Sequence, residues 1–200
     1  LDAVLIGRAA QAIPPIAPDP YGMAEASYTQ AMEEVLAKAF KAAHEAFTAA
    51  SQGLATEWIQ AELAPVEAAA QAAFTADLIV AGGGAPGTGD RYRWCDAGEL
   101  VLTAGRPVLI APPDDAELAA KAALVAWKDT RESRRAVADA LPLLKLAERV
   151  RLVEVCNEDE VEVVQRRLDA VAGWRGRDGI TAEAAPLPGR RAHAGRSVST

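Results

Sequence analysis

The sequence predicts an α/β fold in which parallel strands alternate with helices. Three observations lead to this fold class. Short apolar runs such as Asp77–Ala81 and Leu124–Trp127 are typical of buried strands. Longer segments between such runs carry apolar residues at helical spacing. The alternation closes at Pro112 and Pro113 and then begins again. Alternating strands and helices of this length predict a parallel, doubly wound sheet in each half of the chain.

The first half is predicted to hold four strands. Its opening run ends in glycine, a proline-rich loop follows at Pro14–Tyr21, and a long alanine-rich helix comes next. The predicted elements are a strand at Leu1–Gly7, a helix at Ala24–Ser51, a strand at Thr56–Leu63, a helix at Pro65–Phe74, a strand at Asp77–Ala81, a short helix at Glu99–Thr103 and a strand at Pro107–Ala111.

The second half is predicted to begin near residues 112–118. Pro142 is expected to bend its first helix without ending it. Asn157 and Glu160 have the spacing of a capping box at the start of its second helix, which should break between Gly173 and Gly179. The predicted elements are a strand at Leu124–Trp127, a helix carrying Ala136 to Leu144, a strand at Val150–Val155, a helix carrying Val161 to Val171 and a strand at Ile180–Ala184.

The two halves repeat one pattern of strands. The run Leu1–Ile6 corresponds to Val150–Val155, and Glu57–Leu63 corresponds to Ile180–Ala185. In this alignment the first copy lacks an opening strand and helix, and the second copy stops after its third strand.

Composition narrows the possible functions. Charged residues make up 24 % of the chain, and the net charge of −7 opposes general affinity for nucleic acid or acidic lipid. We interpret the basic run Gly189–Arg196 as a solvated loop, because no aromatic residue is interleaved to stack on bases. Cys95 and Cys156 lack metal-ligand spacing. No apolar run approaches the ~20 residues that a membrane helix needs, so we expect a cytoplasmic protein.

Two stretches resemble universal stress proteins. The run Ala123–Val137, continued by Ala140–Leu144, resembles the start of such a domain. Ala76–Gly84, with Gly105–Pro112 further along, resembles its end. The resemblance implies two partial Rossmann-like units in tandem, residues 1–114 and 115–200. It also implies that the edge strand Pro107–Ala111 pairs with an equivalent strand, so we expect a homo-oligomer.

Nucleotide-binding members of this family carry glycines that let the backbone approach phosphate. Gly84 and Gly87 match the first glycine pair of that motif. Gly98 is the next candidate, but ten residues separate it from Gly87, and Glu99 follows where the family has a hydroxyl. The sequence leaves two interpretations open: a phosphate-binding site, or a glycine-rich turn that binds nothing.

The family also places an aspartate at the end of its first strand. The matching position here is Lys128, followed by Asp129 and Thr130. Lysine can contact phosphate, but it cannot accept hydrogen bonds as a carboxylate does. Asp129 after a strand also raises the possibility of a phosphoacceptor. We favour a surface loop, because no acidic cluster for a metal ion accompanies it.

These residues favour a stress-response binding or signalling protein with a degenerate nucleotide site, without enzymatic activity and without a cofactor. The alternative is an ATP-binding module of the same family, with slow hydrolysis. A third possibility, a related α/β ligase or flavoprotein fragment, requires a reaction motif that the sequence lacks.

Overall fold

The chain forms two compact α/β units, Leu1–Asp115 and Ala116–Thr200. The computed structural model describes residues 4–15, 23–82, 92, 94–112 and 118–189. All strand pairs in these ranges are parallel, so the predicted fold class is confirmed. The interpretation of the units as two incomplete copies of one domain stays a prediction.

The first unit contains two separate two-stranded sheets, β1–β2 and β3–β4. Its elements are β1 (Val4–Ala10), α1 (Met23–Ala50), β2 (Ala55–Ala61), α2 (Pro65–Ala72) with a 3₁₀ turn at Ala73–Thr75, β3 (Ile79–Gly82), α3 (Ala97–Ala104) and β4 (Val108–Ala111).

Helix α1 packs against the β1–β2 sheet through aromatic side chains. Trp58 lies in register with Gly7 on the neighbouring strand, and its ring centroid is 5.2 Å from that of Phe47. His44 stacks on the same indole at 5.0 Å. This contact leaves no room beside Gly7, because a Cβ there would lie 2.6 Å from both Phe47 and Trp58. The glycine therefore sets how closely helix and sheet approach.

Arg106 joins the β3–β4 sheet to the end of α2. Its Nε donates to the carbonyl of Ala73 at 3.0 Å, and its Nη2 donates to that of Phe74 at 3.2 Å. These bonds hold Arg106 at the 3₁₀ turn that ends α2, where the carbonyl of Ala73 also accepts from the N–H of Ala76 at 3.2 Å. Helices α2 and α3 pack together, with Ala68 and Leu100 fully buried.

The second unit is a single three-stranded sheet in the order β5–β6–β7. Its elements are β5 (Ala122–Ala126), α4 (Arg131–Asp139), α5 (Leu141–Leu144), β6 (Arg149–Cys156), α6 (Val161–Gly176) after a 3₁₀ turn at Glu158–Glu160, and β7 (Ala182–Pro188). Its core joins one face of β6 to the helices. The buried members are Trp127, Val137, Leu144, Val150, Leu152, Cys156, Val164, Leu168, Val171 and Ile180.

Two of the boundary predictions were wrong for identifiable reasons. Strand β1 continues past Gly7 to Ala10, because the ladder with β2 holds the chain extended. Pro142 does not merely bend one helix: α4 ends at Asp139, and α5 begins at Leu141 with the proline in its first turn, where no N–H is needed. Helix α6 ends at Gly176, within the predicted break at Gly173–Gly179, and its residues Val171 and Arg175 are buried.

The predicted capping box at the start of α6 is confirmed. The backbone N–H of Asn157 donates to Glu160 Oε2 at 2.9 Å, and the reciprocal bond is also present. Among the described residues, no helix is both long and apolar enough to cross a membrane.

Gly7→Ala should destabilise the first unit by about 1–3 kcal/mol, because the new methyl group would force α1 away from the sheet. Chemical denaturation measures this loss. Gly173→Ala is the matched control: nothing lies within 4 Å of its Cβ position. Because alanine is favoured over glycine within a helix, Gly173→Ala should raise the free energy of unfolding by about 0.5–1 kcal/mol. Equal effects of the two substitutions would contradict the role assigned to Gly7.

Candidate functional site

The predicted site residues lie in two units. Gly84 and Gly87 fall outside the described residues. Gly98 belongs to the first unit, in the first turn of α3. Lys128, Asp129 and Thr130 belong to the second unit, where they connect β5 to α4.

Gly98 lies in the first turn of α3. Asp96 caps α3, and its Oδ1 accepts from the N–H of Glu99 at 2.8 Å. A Cβ on Gly98 would lie 3.3 Å from this carboxylate oxygen. The start of α3 therefore already holds one carboxylate as its cap and a second, Glu99, in its first turn. Burial, together with Asp96 and Glu99, raises the pKa of the adjacent Cys95 thiol.

Two of the three residues after β5 stabilise the start of α4. Thr130 is the N-cap, and its Oγ1 accepts from the N–H of Ser133 at 3.3 Å. Asp129 Oδ1 accepts from Nε and Nη2 of Arg134, with Nε at 3.2 Å. This bidentate pair lowers the pKa of Asp129. The side chain of Lys128 is exposed, and its carbonyl accepts from the N–H of Thr130 at 2.7 Å.

A half-buried ion pair beside this loop was missed by the sequence reasoning. Glu154 lies near the carboxyl end of β6 with its side chain 9 % exposed, and its Oε1 accepts from Nη1 of Arg167. Oε2 of the same carboxylate is buried without a hydrogen-bond partner, as is Nε1 of Trp127. The sequence did contain a signal, because Glu154 interrupts the alternate apolar positions Leu152 and Cys156 on the core face.

Two ion pairs lie near this loop, Asp129 with Arg134 and Glu154 with Arg167. The pKa of Asp129 is lowered mainly by its hydrogen bond from Arg134, with a smaller contribution from the positive charge of Arg167. A phosphate arriving here would have to compete with Asp129 for Arg134 and with Glu154 for Arg167. Within the part of the chain that the structure describes, no cluster of His, Cys, Asp and Glu could hold a metal ion.

Replacing Arg134 with glutamine should raise the pKa of Asp129 toward its ordinary value of about 3.9. The hydrogen bond from Arg134 is the main cause of the lowered pKa of Asp129. Removing Arg134 therefore also removes the folding stability that the pair contributes at pH values above the ordinary pKa of an aspartate. In the wild type this contribution is lost as the pH falls through the depressed pKa. NMR titration of the Asp129 side chain measures the shift.

Arg131→Gln is the matched control, because Arg131 pairs with Glu132 on the same helix turn. It should leave the Asp129 pKa nearly unchanged. If Asp129 has the same pKa in the wild type and in Arg134→Gln, the ion pair between Asp129 and Arg134 does not form in solution.

No protein-family model and no curated protein matches this chain. Universal stress proteins are among the solved structures that are similar to it. A universal stress protein from Archaeoglobus fulgidus DSM 4304 has a TM-score of 0.57 and 16 % identity, over 93 % of this chain and 68 % of that one. A universal stress protein, described as putative, from Pseudomonas aeruginosa UCBPP-PA14 has a TM-score of 0.48 and 12 % identity, over 92 % and 74 %.

The match to the Archaeoglobus structure extends over nearly the whole chain. Its identity is low, so it establishes the architecture and no more. The likeness to universal stress proteins expected from the sequence is thus confirmed for the fold: the chain has the fold of a universal stress protein.

Proposed function

We propose that this chain is a stress-response binding or signalling protein of the universal-stress-protein type with a degenerate nucleotide site. In this proposal it works in the cytoplasm through its conformation and its partners. It has no catalytic residues and needs no cofactor.

The carboxylate cap of α3 is the observation that carries the proposal. A helix N-terminus binds phosphate through free N–H groups and the positive end of the helix dipole. In α3 the side chain of Asp96 occupies the N–H of Glu99, and Glu99 adds a second negative charge in the same turn. A triphosphate would meet like charge where it needs donors.

The loop after β5 supports the same conclusion. Lys128 stands where the family has its aspartate, and the neighbouring Asp129 accepts two bonds from Arg134. Thr130 is engaged as the cap of α4. Two of the three candidate residues in this loop, Asp129 and Thr130, are therefore already used by the fold.

The alternative is an ATP-binding module with slow hydrolysis. The glycine spacing of Gly84 and Gly87, directly after β3, favours it. The absence of a family-like aspartate at position 128 opposes it, since losing one charge-assisted hydrogen bond costs about 1.5–3 kcal/mol.

We expect isothermal titration with Mg-ATP to give a dissociation constant of about 1 mM or weaker. Asp96→Ser keeps an oxygen that can cap α3 but removes its charge, so it should strengthen phosphate binding relative to the wild type. Asp178→Ser is a suitable control, because that carboxylate pairs with Arg175 at the end of α6.

A micromolar dissociation constant for the wild type, abolished by Gly87→Val, would reject the degenerate site. It would establish the ATP-binding alternative in its place.

The proposed partner is a second copy of the chain, bound through β4. Among the described strands, β4 pairs with β3 alone, so its outer edge carries unsatisfied backbone groups. The carbonyl of Pro107 accepts from the N–H of Ile79. In a parallel ladder the bonding residues alternate, so the N–H groups of Val108 and Ile110 point away from β3.

Ile110→Pro should convert the proposed homo-oligomer to a monomer, because it removes one outward N–H while leaving the bonds to β3 in place. Sedimentation velocity measures the mass, and far-UV circular dichroism confirms that the variant folds. Ile110→Ala keeps the N–H and should retain the oligomer. If the wild-type protein stays a monomer as its concentration is raised about 100-fold, from ~1 to ~100 µM, this interface is rejected.

A further inference from the structure

Two polar atoms at the carboxyl ends of β5 and β6 are buried and have no hydrogen-bond partner among the described residues. One is Nε1 of Trp127, which is a donor, and the other is Oε2 of Glu154, which is an acceptor. Such groups are rare in folded proteins, because a buried donor or acceptor that leaves water without gaining a partner destabilises the fold. A partner for both atoms is therefore expected.

The ladder between β5 and β6 places these two side chains beside each other. Ala126 lies in register with Val153, and the N–H of Trp127 donates to the carbonyl of Val153 at 2.7 Å. Trp127 and Glu154 are the next residues on the two strands, so they form the next lateral pair. Neighbouring strands lie about 4.8 Å apart, and side chains at paired positions point to the same face of a sheet. The indole and the carboxylate therefore share the core face.

Other contacts hold each of these side chains in place. Trp127 is 6 % exposed and belongs to the apolar core of the second unit. The side chain of Glu154 is 9 % exposed, and its Oε1 accepts from Nη1 of Arg167 on α6. Moving the carboxylate toward the indole would strain this ion pair, and moving the indole would disturb a close-packed core. The donor and the acceptor thus lie on neighbouring residues without bonding to each other.

We propose that one buried water molecule bridges Nε1 of Trp127 and Oε2 of Glu154. The water accepts a hydrogen bond from the indole N–H and donates one O–H to the carboxylate. Water can do both at once, whereas an indole N–H only donates and a carboxylate only accepts. Buried waters typically bind in this way to polar groups that the protein itself leaves without partners.

Water fits this position better than an ion or a larger ligand does. An anion would accept from the indole N–H but would be repelled by Glu154, and a cation would pair with Glu154 but leave the indole N–H without an acceptor. A larger ligand would need an opening, and both atoms are shielded from solvent. A gap between two polar groups that is longer than a hydrogen bond is where a bridging water is expected.

The bridge ties the carboxyl ends of β5 and β6 together directly before Lys128, the first residue of the candidate loop. It also completes the hydrogen bonding of Glu154, so that one oxygen binds Arg167 and the other binds the water. The inference concerns the interior of the second unit, so it does not depend on the proposed function.

NMR of the intact, isotope-labelled chain tests the bridge. The water should give cross-peaks to the indole N–H of Trp127 that have opposite signs in NOESY and ROESY spectra, which distinguishes a bound water from hydrogen exchange. Trp127→Phe identifies the signal by removing it. Trp94 is the matched control, because it is 54 % exposed. Its indole N–H should exchange with solvent at least about tenfold faster than that of Trp127.

Substitutions test whether both groups hold the water. Glu154→Met replaces the carboxylate with an apolar side chain of similar length and should abolish the water cross-peak to Trp127. Trp127→Phe and Glu154→Met should each raise the unfolding equilibrium constant by about tenfold or more, as measured by urea denaturation. The double variant leaves neither polar group of the pair, so its effect should be at least about threefold smaller than the product of the two single effects.

Three outcomes would overturn the proposal. One is the lack of an opposite-sign cross-peak in the wild type, and this spectrum decides even if a variant does not fold. Coupled substitutions without that cross-peak would indicate a direct bond between the indole and the carboxylate. Another is a cross-peak that persists in Glu154→Met, which would show that other groups hold the water. The third is a double variant whose effect equals the product of the single effects.

Discussion

Pairing of both edges of β6 is the interaction on which the second unit depends. Its two parallel ladders satisfy the backbone of a strand whose residues Leu152 and Val153 are buried on opposite faces. With that backbone satisfied, the apolar faces of α4 and α6 can exclude water from the sheet without leaving polar groups unpaired. The core of the second unit therefore forms around β6, which has a neighbouring strand on both edges.

In the first unit, the four described strands form two parallel pairs, and contacts between helices and sheets add to its cohesion. The close approach at Gly7 holds α1 against β1 and β2, and Arg106 ties the start of β4 to the end of α2. Any side chain at position 7 would collide, and the guanidinium of Arg106 donates to two carbonyls through one planar group.

Helix starts connect the fold to the candidate site. Asp96 caps α3 and Thr130 caps α4, and each side chain satisfies a backbone N–H that would otherwise lack a partner. In nucleotide-binding proteins the same kind of N–H binds phosphate. In this chain the caps supply the acceptors themselves, and one of them is a carboxylate. Stability of the helices and affinity for an anion therefore oppose each other at the start of α3.

The sequence by itself determined the elements that periodicity and local hydrogen bonds define, including the parallel α/β class, α1 and the capping box of Asn157 and Glu160. It also identified the loop at Lys128–Thr130. Only the tertiary structure decided that Asp129 binds Arg134, that Glu154 pairs with Arg167, and that β1 has one neighbour in the described chain. The physical reason is range: caps and amphipathic stripes involve residues a few positions apart, whereas strand neighbours and buried ion pairs join residues that only the folded chain brings together.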